Sequence, residues 1–138
     1  MSENISETVK FAYFPAGTVK VAVHPENENG DIITLLEKID VIWKGRSFTI
    51  PANFQCDGCS VPGFLWDSIS PRIDPRTLRG AIIHDYIYRG NLPEWSRADA
   101  DELFLETIRA DGFSTVRAYL AYWGVRLGGA SSFKGDAA

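Results

Sequence analysis

The stretch Ala81-Ile82-Ile83-His84-Asp85-Tyr86-Ile87-Tyr88-Arg89 decides how the rest of the chain is read. It places one of the chain's two histidines, and a carboxylate directly after it, inside an apolar run. Apolar periodicity alone allows strand or helix here, but the length of the run and the flanking proline favour helix. A helix sets His84 and Tyr88 on one face, one turn apart, with Asp85 about a quarter-turn round. Ionisable groups inside an apolar element are costly unless they are paired or liganded. His84 therefore reads in one of two ways. It is a core histidine with hydrogen-bonded nitrogens, or it is the centre of a polar site.

Downstream, Gly90-Asn91-Leu92-Pro93 ends a helix over residues 76–89. Ser96, with Asp99 three residues on, comes close to a capping box and opens a helix over residues 97–110. Leu103, Phe104, Thr107 and Ile108 form its apolar stripe. The short connection makes these two helices antiparallel neighbours. That pairing brings Asp101, in the first turn of the second helix, up to His84, in the last turn of the first. A carboxylate on one imidazole nitrogen fixes the tautomer and leaves the other nitrogen as a base. Asp99 is the fallback for Asp101, although its cap position suits a structural role better. Ser114 opens a third helix that Gly128-Gly129 ends. In it Val116, Tyr119, Leu120, Trp123 and Leu127 follow i, i+3, i+4 spacing and read as core-facing. Arg126 and Arg89 are candidates to pair with the acidic residues of this half. Arg72, Arg76 and Arg79 read either as a face that favours anionic headgroups or, equally well, as a solvated helix face. Residues 130–138 read as a loose tail.

Upstream, residues 9–50 read as β. The segments 9–14 and 18–23 are rich in β-branched and aromatic residues, and Pro15-Ala16-Gly17 separates them. His24 reads as a strand end facing solvent, followed by a polar loop over residues 26–31. A further apolar run covers 32–36. The segments 39–43 and 47–50 flank Lys44-Gly45-Arg46, a hairpin signal. After Pro51 the character changes to a loop carrying Cys56-Asp57-Gly58-Cys59-Ser60, then a short helix over 61–69. Phe64, Leu65 and Trp66 in that helix pack against the β region or form an apolar rim, and the first reading is preferred. The fold class is α+β, in one domain over residues 1–138. An antiparallel β part (8–55) precedes a part of three to four helices (56–129), in which an antiparallel pair carries the His/Asp site.

At 138 residues the chain is long enough to bury its own core. A net charge of −4 gives no electrostatic footprint for nucleic acid. No apolar run reaches transmembrane length, and the polar, acidic start is not a signal peptide, which points to a cytoplasm. The two cysteines, Cys56 and Cys59, lack the further ligands of a structural zinc site and the setting of a thioredoxin-like motif. They read as reduced thiols flanking a loop, or as a local disulfide in an oxidising compartment.

Asp57 and Asp85 remain as hard oxygen donors. With carbonyls from the glycine-containing loop they suit calcium, which takes about six to eight oxygens. Zinc would want His84 itself and more partners than stand beside it.

Taken in order, four motifs carry a family resemblance. They are Asp57-Gly58-Cys59-Ser60-x-Pro62, His84-Asp85-x-x-Tyr88-Arg89, Asp101-x-x-Phe104, and Tyr122-x-x-Val125-Arg126-x-Gly128. The helical half resembles the prokaryotic branch of the secreted phospholipases A₂. Nearly the whole chain resembles an uncharacterised family of phages and prophages with Asp-Gly-x-Ser-x-Pro and His-Asp-Tyr-x-Tyr signatures. The phospholipase resemblance implies His84 as general base, Asp101 as the residue that orients it, and Tyr88 in the supporting network. It implies calcium held by Asp57, Asp85 and the Gly58 carbonyl. Ala81 stands where that family anchors a disulfide to its calcium loop, so Cys59 has no such partner. The implied activity is calcium-dependent hydrolysis of glycerophospholipids, on a host membrane surface. The alternative is a non-catalytic virion, tail or assembly protein whose partners are other phage proteins. Either places the protein in the host cytoplasm or the virion.

Overall fold

Alternating burial and short turns build the N-terminal half. The computed structural model describes residues 9–11, 19–27, 30–56, 75–130 and 133–134. Its strands are β1 (Val9–Phe11), β2 (Val21–Asn27), β3 (Gly30–Leu35), β4 (Ile39–Trp43), β5 (Arg46–Ile50) and β6 (Gln55–Cys56). They form two three-stranded antiparallel sheets, ordered β1-β4-β5 and β2-β3-β6. In β4, Ile39, Val41 and Trp43 point into the core, while Ile42 faces out. Lys44 and Gly45 both adopt positive φ, 52° and 74°, in a two-residue hairpin turn that suits the strand twist. The hairpin is one residue tighter than expected, because Arg46 already pairs with Trp43.

Of the stretch 26–31 expected as a polar loop, residues 26–27 and 30–31 are strand. β2 runs through His24, opposite Ile32, and on to Asn27, with a register shift between Pro25 and Asn27. Proline has no N–H to give to a ladder, which fits an irregularity at that point. The expected helix over 61–69, with Phe64, Leu65 and Trp66, lies outside the described residues.

Three helices follow: α1 (Pro75–Tyr88), α2 (Arg97–Ala110) and α3 (Thr115–Gly128). The capping box at the start of α2 is complete. The Ser96 hydroxyl accepts from the Asp99 N–H at 3.0 Å, and Asp99 Oδ2 accepts from the Ser96 N–H at 3.1 Å. Asp99 is thereby a cap, and Arg46 also binds its carboxylate, at 3.1 Å. Contacts from α1 to α2 run in reverse order, His84 to Asp101 and Arg79 to Asp111, so the two helices are antiparallel. Gly80 lets them approach closely, since a Cβ there would fall 2.6 Å from Ile108 Cγ2.

The core has two parts. One joins β3, β4 and β5 to α1 and α2 through Ile33, Val41, Ile50, Ile83, Ile87 and Leu103. The other joins α1 and α2 to α3 through Ala81, Phe104, Ile108, Ala118, Ala121 and Val125. The two antiparallel helices therefore lie between the sheets and α3. The fold is α+β, strands first and helices after.

Two expectations are corrected. Arg79 is not on a solvated face: it is 1% exposed and grips the Asp111 carboxylate from two of its nitrogens. The stripe of α3 does not face the core. Val116, Tyr119, Leu120, Trp123 and Leu127 are exposed, and the small residues Ala118, Ala121 and Val125 are buried instead. Within residues 130–138, part of the chain is docked. The Lys134 N–H donates to the Tyr88 carbonyl at 2.6 Å, and the Phe133 ring meets the Tyr88 ring edge-on. No helix among the described residues is long and apolar enough to cross a membrane.

Candidate functional site

His84 and Tyr88 lie one turn apart near the end of α1, on the face turned to α2. The capping box starts α2 at Arg97, and that start places Asp101 one turn in, directly opposite them. His84 Nε2 lies 2.6 Å from Asp101 Oδ1, and the Tyr88 hydroxyl donates to the same oxygen at 2.6 Å. The other oxygen, Oδ2, accepts from an Arg126 guanidinium nitrogen at 2.8 Å, and Arg97 stands 3.6 Å away. One carboxylate thus joins all three helices. The imidazole also packs on the rings of Tyr88 and Phe104, at 4.0 and 5.2 Å between centroids.

Burial sets the protonation states. Asp101 is 0% exposed and His84 1%. Burial alone raises the Asp101 pKa, but hydrogen bonds from His84, Tyr88 and Arg126 outweigh it and hold the carboxyl below its ordinary value. Burial lowers the His84 pKa more than Asp101 raises it, so the imidazole is neutral. Burial and the bond to Asp101 both raise the Tyr88 phenol, which keeps its proton. An ionised carboxylate only accepts. Nε2 therefore carries the imidazole proton, and Nδ1 keeps its lone pair. A neutral histidine held in this tautomer by a buried acid is what general-base chemistry asks for.

Of the residues expected at the site, His84, Tyr88 and Asp101 come together. Asp85 does not join them. Its Oδ2 faces Arg89 Nε at 2.9 Å, one turn along the same helix. Asp57 and Gly58, the other two members of the expected calcium set, lie outside the described residues. Asp85 by itself is one ion-paired carboxylate, far short of the oxygens calcium needs. No group of three or more His, Cys, Asp or Glu side chains suited to a metal occurs among the described residues. What the described residues bring together is the hydrogen-bonded side chains of His84, Asp101 and Tyr88.

Arg126 takes the pairing role expected of it and Gly129 ends α3 as expected, whereas the place of Arg97 beside Asp101 and the closeness of position 129 to Tyr88 are features that the sequence reading does not assign. The i, i+4 spacing of Arg97 and Asp101 on one helix is the available signal for the first. Gly129 caps α3 with its N–H on the Val125 carbonyl, and a Cβ there would fall 2.7 Å from the Tyr88 hydroxyl, a closeness between distant parts of the chain that no local pattern announces.

Residues 33–125 match a family described as a protein of unknown function, DUF1353. The match runs from β3 into α3 and includes His84, Tyr88 and Asp101. No curated protein and no solved structure matches the chain.

Proposed function

We propose that this chain, which belongs to the DUF1353 family, is a phospholipase A₂-like ester hydrolase of phage or prophage origin, acting on host glycerophospholipids. The observation that carries the reading is the 2.6 Å contact of His84 Nε2 with Asp101 Oδ1, on an oxygen shared with Tyr88. In this reading Nδ1 of His84 takes a proton from a water as that water attacks the ester carbonyl. The same proton is then returned to the leaving alkoxide. Asp101 orients the ring and stabilises the imidazolium that forms between the two transfers. Tyr88 and Arg126 keep Asp101 ionised and fixed. Calcium belongs to the proposal through Asp57, Gly58 and Asp85, and its chemistry when bound is to polarise the ester carbonyl.

The test is fatty-acid release from phosphatidylglycerol and phosphatidylcholine vesicles, with calcium and with chelator. The wild type releases fatty acid. His84→Ala lowers the rate by about 10²–10⁴-fold, the usual worth of a general base. A wild type inert on every glycerophospholipid rejects the reading. Activity that survives chelation rejects the calcium part alone.

A second reading draws on one observation, the 1% exposure of His84. In it the cluster is a knot that holds three helices together in a non-catalytic phage protein. Phage viability separates the two readings. It is retained with His84→Gln in the second and lost in the first, provided the variant is shown to fold.

A further inference from the structure

Charge is unevenly placed on this protein. Two carboxylates of α2, Asp99 and Glu102, are paired with Arg46 and Lys44 on the sheet side. Residues 112–135, by contrast, include Arg117, Lys134 and the Asp101-bound Arg126 and no carboxylate, in a chain of net charge −4. The same region holds α3, which is apolar on two sides. Its small residues face α1 and α2. On the other side Val116, Tyr119, Leu120, Trp123 and Leu127 are 43 to 85% exposed. Arg109 stands over the Tyr119 ring at the border of that stripe. A scattered exposed leucine needs no explanation, but a contiguous stripe of this kind marks an interaction surface.

We propose that the exposed face of α3 docks on an anionic phospholipid bilayer. The choice of lipid as the occupant rests on the hydrolytic reading above. The surface chemistry supports it independently. Trp and Tyr rings favour the membrane interface, leucine and valine enter the acyl boundary, and flanking arginines meet anionic headgroups. The absence of carboxylates over residues 112–135 removes the repulsion that such a surface would otherwise meet. Both sheets lie on the far side of α1 and α2, so nothing in the described β half competes for the contact. Arg126 then links the docking helix to Asp101 in the site.

The experiment is cosedimentation of the full chain with phosphatidylglycerol vesicles and with phosphatidylcholine vesicles, alongside tryptophan emission. Of the four tryptophans, Trp43 and Trp95 are buried, Trp123 is 56% exposed and Trp66 lies outside the described residues, so emission is read in a Trp66→Phe background. Binding to phosphatidylglycerol is expected, with a blue shift that disappears in Trp123→Phe. Leu120→Asp and Trp123→Asp abolish the binding while the circular dichroism spectrum is kept, since both side chains are on the surface. Arg109→Gln, which removes the cation over the Tyr119 ring, weakens it about five-fold, the worth of one cation near an anionic membrane. The proposal is overturned if the wild type does not bind, or if binding ignores these substitutions. It is also overturned if Leu120→Asp instead breaks a dimer or a protein complex without vesicle binding. Hydrolysis of a monomeric short-chain phospholipid is measured in parallel and reports the site alone. Binding without any hydrolysis rejects the hydrolytic reading and leaves the docking face standing. Hydrolysis without α3-dependent binding does the reverse.

Discussion

The Tyr88 hydroxyl and the Val125 carbonyl together occupy the space that a side chain at position 129 would need: a Cβ on Gly129 would fall 2.7 Å from the hydroxyl, 3.1 Å from Tyr88 Cε2 and 2.6 Å from the carbonyl oxygen. The end of α3 and the site are therefore fitted to each other at a residue with no side chain. Gly129→Ala is expected to push the phenol off Asp101 and to destabilise the fold by about 1–3 kcal/mol, the usual cost of overpacking. Urea denaturation measures the loss. An unchanged midpoint would mean that the end of α3 gives way freely.

Asp101 accepts from His84, Tyr88 and Arg126 with no exposure of its own. Asp101→Asn leaves Arg126 and Arg97 without their carboxylate and is expected to cost about 3–5 kcal/mol. The asparagine can also donate, so the imidazole is no longer held with its proton on Nε2. Nitrogen chemical shifts of His84 report the tautomer and should show a mixture in the variant and a single Nε2–H form in the wild type.

Acid should loosen the protein in two stages. Burial holds the His84 pKa below its ordinary 6.5, so below pH 6.5 the unfolded chain takes up a proton that the native state refuses. Stability drops as the pH drops wherever the unfolded state binds more protons. Asp101, also held below its ordinary 3.8, adds a loss of the same sign under pH 3.8. Denaturation midpoints measured from pH 8 downward are expected to decline from about pH 6.5. In His84→Gln this first decline should flatten. The same depression places the acid limb of any His84-dependent rate below pH 6.5.

The Arg79–Asp111 pair ties α1 to the end of α2 and is almost wholly buried. Arg79→Met alone takes the guanidinium away from the buried Asp111 carboxylate and is expected to cost about 3–5 kcal/mol. Asp111→Leu alone takes the carboxylate away from the buried guanidinium and should cost a similar amount. The double variant should cost clearly less than the two added together, as a double-mutant cycle reads directly. Additive losses would show that the two charges act independently.

Much of the helical half is legible in the sequence because its signals are local. Ser96 and Asp99 announce the start of α2, and a fixed start puts Asp101 one turn in. The connection between α1 and α2 is too short for anything but antiparallel neighbours, so His84 and Asp101 have to meet. Side of burial is a different matter. The α3 stripe of Val116, Leu120, Trp123 and Leu127 has the right period, and so does the opposite stripe of Ala118, Ala121 and Val125. Period cannot choose between two apolar faces. Closeness of packing chose the small one, because α3 lies against α1 and α2. The burial of Arg79 is hidden for a related reason. Its partner Asp111 is 32 residues away, so no spacing on its own helix shows that its charge is met. The calcium set rests on a loop that includes Asp57 and Gly58, and of that set the described residues contain Asp85 alone.

The bond from the Lys134 N–H to the Tyr88 carbonyl, with Phe133 against the Tyr88 ring, has a practical consequence for handling the protein. Any shortened form that stops before Phe133 loses both contacts, and with them part of the support of the tyrosine that steadies Asp101. Comparisons of variants at this cluster therefore need residues 133 and 134 kept.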